Sequence, residues 1–167
     1  DFEFQQNFIH QLKQLHHEND QIYNIRGNVI SIVIAIVTGS AVGILSVALI
    51  ARWMGAEPAV VASLEPKSVT TAIALSLSAN SGGIPALTSV VVIVVGVFGG
   101  IVGPWVLRKV GVESRIAKGL AMGAAAHAMG TARAMELGAV EGAISGLAIG
   151  LMGVATAVLV PILEKII

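Results

Sequence analysis

Glu65-Pro66-Lys67-Ser68-Val69-Thr70-Thr71-Ala72-Ile73-Ala74 stands between two strongly apolar runs, and it gathers a lysine, a serine and two threonines. From residue 68 to residue 107 there is no Asp, Glu, Lys or Arg. A water-soluble domain does not carry an uncharged run of that length. Polar groups at the mouth of such a run are costly in hydrocarbon unless they are paired, hydrated or used. The stretch therefore points to a helical membrane protein that is locally broken.

The composition agrees. Hydrophobic residues make up 55% of the 167-residue chain and charged residues only 12%, about half the share of an ordinary globular domain. The mean hydropathy is +0.85. Nineteen glycines, with many Ala, Ser and Thr, suit close helix–helix approach in lipid. Zero net charge argues against nucleic acid as a partner. The absence of cysteine removes disulfides and thiolate chemistry. The chain begins at Asp1 without a secretory signal pattern, and it reads as a fragment or processed chain of an integral membrane protein.

Outward from the quoted stretch, two kinds of segment alternate. Residues 28–51, 86–107 and 142–163 are uncharged and long enough to span a bilayer. The first ends at Arg52-Trp53, and the second closes with Trp105 and then Arg108-Lys109, as membrane interfaces favour. Between them lie two shorter segments, about 58–81 and 119–137, that are apolar yet carry polar residues. The first contains Pro66 and is closed by Asn80-Ser81-Gly82-Gly83-Ile84-Pro85, with Ser68 placed to cap a half-length helix over 69–79. The second contains His127, Thr131, Arg133 and Glu136. Both read as broken or re-entrant half-helices. Residues 1–27 form a separate, polar, amphipathic helix with Phe4, Phe8, Leu12 and Leu15 on one face. His16, His17, Glu18 and Asp20 there read as a solvated helix end, so no metal site is expected.

Positive charge at Arg108, Lys109, Arg115 and Lys118 places that loop in the cytoplasm, and Lys13 and Arg26 place the start of the first span there too. Both placements hold only if residues 55–85 enter and leave on the outer side. An internal echo fits. Residues 69–94 set against 129–154 match without gaps at Thr71/Thr131, Ala72/Ala132, Ala74/Ala134, Gly82/Gly142, Ile84/Ile144 and Leu87/Leu147. The fold class is an all-α integral membrane protein with two broken or re-entrant half-helices, arranged as an inverted repeat if the two segments enter from opposite sides.

The motifs Pro66-Lys67-Ser68-Val69-Thr70-Thr71, Gly82-Gly83-Ile84-Pro85-Ala86, Ala121-Met122-Gly123, His127-Ala128-Met129-Gly130-Thr131-Ala132-Arg133-Ala134, Glu141-Gly142-Ala143 and Gly146-Leu147-Ala148 resemble the LrgB/CidB family. That family comprises bacterial antiholin-like and holin-like membrane proteins and includes the plastid glycolate/glycerate translocator. The resemblance covers roughly residues 28–165, so residues 28–167 read as an LrgB-like transmembrane domain. Ala72 stands where the family usually has proline, and residues 1–27 show none of the additional N-terminal spans of family members.

The resemblance implies one of two functions. The first is proton-coupled secondary transport of a small carboxylate such as glycolate, glycerate or pyruvate. The second is control of murein hydrolases and cytolysis together with a small LrgA/CidA-type membrane partner. Both place the chain in the bilayer of a cell (plasma) membrane, bacterial in origin and homo-oligomeric. For transport, Ser68, Thr70 and Thr71 offer hydroxyls and a helix start to an anion, with Thr131 at the matching place in the second copy. Lys67 or Arg133 supplies the counter-charge, and His127 and Glu136 are the candidate proton carriers. Each has a plainer reading. Lys67 can snorkel to the headgroups, Arg133 and Glu136 can pair with each other, and the hydroxyls can bond helix carbonyls. For partner-based control, Gly96, Gly99, Gly100 and Gly103 offer a small-residue face. No nucleophile, phosphate-loop or metal-ligand motif is present, so neither catalysis nor a cofactor is expected.

Overall fold

The computed structural model describes residues 29–166, and within them every regular element is a helix. The amphipathic helix expected over residues 1–27 lies outside the described residues. Three long apolar helices are α1 (Val29–Trp53), α4 (Pro85–Lys109) and α6 (Ala139–Leu163). These are the three expected spans, each begun or ended a few residues from its predicted bound. At 25 residues each, with a rise of about 1.5 Å per residue, each exceeds the roughly 30 Å hydrocarbon core. Only 17–28% of their apolar windows is buried within the chain. Val90, Ile93, Val94, Phe98 and Ile101 of α4 accordingly face outward.

Between α1 and α4 lie two short helices, α2 (Pro58–Leu64) and α3 (Thr71–Asn80). Pro58 and Pro85 occupy first-turn positions, where a missing N–H costs nothing and the fixed φ suits helix entry. Residues 65–70 form the non-helical turn that separates α2 from α3. The residue capping α3 is Thr70 rather than Ser68. It caps by extended backbone geometry, without a side-chain bond, while Ser68 is engaged by Lys67. Gly82, at φ +74°, turns the chain from α3 into α4.

The segment between α4 and α6 is α5 (Arg115–Leu137), started by the Ser114 side chain, which accepts from Ala117 N at 3.3 Å. It is not straight. Ala126 (φ −132°, ψ 18°) and His127 (φ 38°, ψ −128°) are non-helical. The chain folds back there, and the neighbours of the two arms show it. Gly119 abuts Glu141 and Ile144, and Gly123 abuts Ser145 and Ala148, so the first arm runs in the direction of α6. Thr131 bonds Ser145 and Met135 abuts Gly142, so the second arm runs against it. Gly130 presses on Met122 and Ala126, where only hydrogen fits between the arms.

The layout is thus α1, hairpin α2–α3, α4, hairpin α5, α6. Because α4 crosses between them, the hairpins enter from opposite ends of the bundle, and the echo between residues 69–94 and 129–154 is an inverted one. Ser63 meets Thr88 in the first copy, and Gly123 meets Ala148 at the same spacing in the second. The glycines of α4 serve a purpose other than the partner face that their spacing suggests. Gly96, Gly99 and Gly103 receive His127, Ala126 and Met122, so they seat the second hairpin within the chain.

Three buried hydroxyls fasten the first hairpin. Thr88 Oγ1 lies 2.7 Å from Ser78 Oγ and donates to Ser63 O at 3.0 Å, and Ile84 N donates to Ser63 Oγ at 2.7 Å. Thr88→Val removes the central partner and leaves buried acceptors unmet. It is expected to cost about 1–3 kcal/mol, read as a lower unfolding midpoint in detergent. Thr88→Ser, which keeps the hydroxyl, is expected to restore most of that loss.

Candidate functional site

The first hairpin carries its polar residues at the tip. Glu65 and Pro66 are buried, and Lys67, Ser68, Thr70 and Thr71 are half-buried. Lys67 Nζ reaches inward to Gly43 O, near the middle of α1, at 3.5 Å, and donates to Ser68 Oγ at 3.2 Å. Its ammonium is therefore held at membrane depth by a carbonyl and a hydroxyl. Thr70 and Thr71 begin α3, whose first backbone N–H groups have no intrahelical acceptors. The turn thus carries an ammonium bonded to a hydroxyl directly ahead of the start of α3.

The second hairpin carries His127 at its fold. The imidazole is buried, with Nε2 3.0 Å from Val92 O. A carbonyl only accepts, so Nε2 bears the hydrogen in this contact. A non-glycine residue at positive φ is uncommon and costs about 1–3 kcal/mol unless its surroundings enforce it. Here the enforcement is the Val92 bond and the ring's seat on Gly96, where any side chain would overlap it.

The profile of the LrgB-like family matches residues 19–166. The chain belongs to the LrgB family. It is 43% identical over 127 residues to the antiholin-like protein LrgB of Bacillus cereus, covering 76% of this chain and 55% of that protein. The corresponding protein of Bacillus anthracis gives the same figures. The uncharacterised protein YwbG of Bacillus subtilis is 39% identical over 134 residues, covering 80% of this chain and 60% of that one. The chain thus spans little more than half the length of these curated relatives. No solved structure matches it. With three apolar helices and bacterial relatives, it is a bacterial-type membrane protein.

The remaining sequence candidates of this LrgB-family chain fall as follows. Thr131 is buried and shares a 2.7 Å hydrogen bond with Ser145, so its hydroxyl joins the second hairpin to α6. Arg133 and Glu136 form an ion pair with each other on the exposed side of α5. They border an open groove of about 440 Å³ against Val97, Gly100 and Ile101 of α4. The structure does not gather all the candidates into one site. Lys67, Ser68, Thr70 and Thr71 belong to one hairpin, and His127, Thr131, Arg133 and Glu136 to the other. Among the described helices, α3 and α5 each pack on α4 and α6 but not on each other.

Sequence reasoning passed over a set of long-range hydroxyl contacts. Ser40 of α1 lies 2.9 Å from Thr156 of α6, and Thr88 binds both Ser63 O and Ser78 Oγ. Their only signal was the presence of Ser and Thr inside apolar runs. Glu65 and Glu141 are also buried, Glu141 in the first turn of α6, where the helix dipole favours a carboxylate.

The seat of His127 gives a measurable expectation. Gly96→Ala forces the ring off Val92 O and is expected to destabilise the protein by about 1–3 kcal/mol. Gly150→Ala, where an added Cβ meets nothing within 4 Å, is expected to be neutral or stabilising by up to about 1 kcal/mol. Thermal unfolding of both variants in detergent checks the contrast, and equal effects would contradict the seating.

Proposed function

We propose that this chain acts in a bacterial plasma membrane as an antiholin-like component that restrains murein hydrolase activity and lysis, together with a small LrgA/CidA-type membrane partner. Membership of the LrgB family, with relatives named antiholin-like protein LrgB at 43% identity, carries this reading. The largely unburied apolar spans support it, since they offer surface to lipid and to further membrane helices.

A second reading is secondary transport of a small carboxylate such as pyruvate, glycolate or glycerate, coupled to a proton. One specific observation favours it: half-helices enter from opposite ends, and the turn that leads into α3 carries Lys67 bonded to Ser68. Corresponding broken helices in two inverted repeats are where secondary transporters place substrate. In this reading Lys67 is the counter-charge, and Ser68, Thr70 and Thr71 replace the water shell of the carboxylate. Thr131 is structural, Arg133 and Glu136 border a second groove, and His127 and Glu136 remain the proton candidates. The two readings are compatible, because moving an acid and a proton across the membrane alters its energetics.

One experiment separates them. A bacterial strain lacking its own relatives receives the wild-type chain or the Lys67→Gln variant; lysis and labelled pyruvate and glycolate uptake are followed together, with uptake repeated in proteoliposomes. Antiholin-like action alone predicts lysis restrained equally by both chains, with no uptake. Transport predicts pH-gradient-dependent uptake that falls at least about tenfold in Lys67→Gln, the scale of losing a charge-assisted contact of about 1.5–3 kcal/mol. Unaltered uptake in that variant would overturn the assignment of Lys67, and unrestrained lysis with the wild-type chain would overturn the antiholin-like reading.

A further inference from the structure

The second half of α4 and the first arm of α5 leave between them a groove of about 260 Å³. Phe98, Val102, Val106 and Leu107 line it from α4, and Ala121 and Ala125 from α5. Every lining residue is apolar. Phe98, Val106 and Ala125 are exposed, so the groove opens to the surroundings of the bundle. From Phe98 to Leu107 the helix rises about 14 Å, close to half of the roughly 30 Å hydrocarbon core. Spread over that length, the volume gives a cross-section of about 20 Å². That admits a single extended hydrocarbon chain, and not the body of a helix about 10 Å across.

One end of this apolar groove is strongly basic. Arg108, Lys109, Arg115 and Lys118 follow directly on Leu107, against a single acid, Glu113. Helical register puts Lys109 on the face of α4 that carries Val106 and Val102, three and seven residues before it. It puts Lys118 on the face of α5 that carries Ala121 and Ala125, three and seven residues after it. Lys109 Nζ lies 4.9 Å from the centre of the Trp105 ring, which is exposed. A tryptophan beside a lysine marks the depth of the lipid headgroups. A positive mouth over an apolar groove one leaflet deep complements a molecule with an anionic head and a hydrocarbon tail. Basic pockets between transmembrane helices hold anionic lipid headgroups in the same way.

We propose that the groove between α4 and the first arm of α5 is a binding site for one anionic phospholipid. An acyl chain lies along the groove from Leu107 towards Phe98, and the phosphate rests at the mouth, on Lys109 and Lys118. The bound chain fills space that the alanines of α5 leave open, and so supports the first arm of the second hairpin against α4. The inference rests on neither functional reading, because it concerns what covers this face of the hairpin.

Fluorescence quenching of the full chain in lipid vesicles tests it. The chain has two tryptophans, so Trp53→Phe leaves Trp105 as the reporter, seven residues from Phe98 and three from Val102. Phosphatidylglycerol brominated on its acyl chains is expected to quench Trp105 in preference to brominated phosphatidylcholine. Lys118→Gln is expected to lower that preference about fivefold, the scale of one basic residue at an anionic membrane surface. Ala125→Leu fills the groove and leaves every charge in place, and it is expected to abolish the preference. Ala121→Val is the second filling variant if Ala125→Leu fails to fold. Equal quenching by the two lipids in the Trp53→Phe chain overturns the proposal. So does a preference that the filling variants leave intact, because headgroups would then gather on the basic residues without a chain in the groove.

Discussion

In hydrocarbon, every backbone N–H and C=O must find a partner within the protein, and this constraint governs the whole chain. The three long helices meet it internally except where Pro104 and Pro161 remove a donor. The two hairpins do not, because each interrupts its helical bonding at the tip. Both are held by side-chain hydrogen bonds to neighbouring helices. At the first, Ser63, Ser78 and Thr88 bind the hairpin to α4, and Lys67 binds Gly43 of α1. At the second, His127 reaches Val92 O and Thr131 reaches Ser145. Remove these contacts, and a broken helix at that depth has no physical support.

The same constraint explains the small residues. A folded helix can approach a straight one closely enough for such bonds only where no side chain intervenes. Gly96 and Gly99 open α4 to the fold of the second hairpin, and Gly119 and Gly123 open its first arm to α6. At the tip of the first hairpin, Lys67 and Ser68 then lie against α1.

Much of this was legible in the sequence. The spans announced themselves by length without charge, and the first hairpin by Pro66, Gly82-Gly83 and Pro85. The inverted arrangement followed from charge placement and from the echo about Thr71 and Thr131. The fold within α5 was less legible. Neither Ala126 nor His127 is a breaker, and the reversal is held by a bond to Val92, thirty-five residues away in the chain. Thr131 offered the same pattern as Thr71, but its partner Ser145 lies on another helix, and no local rule names it. Glycine spacing on α4 suggested a surface for a partner because spacing cannot tell an internal neighbour from an external one.

Labelling from either side of the membrane tests the opposed hairpins most directly, and the natural absence of cysteine makes it clean. Glu57→Cys and Ser81→Cys flank the first hairpin; Glu113→Cys and Ala139→Cys flank the second. With an impermeant maleimide on oriented vesicles, the first pair is predicted to react from one side and the second pair from the other. If Glu57→Cys and Ser81→Cys label from opposite sides, residues 58–81 cross the membrane as a plain span, and the re-entrant account of this protein is wrong.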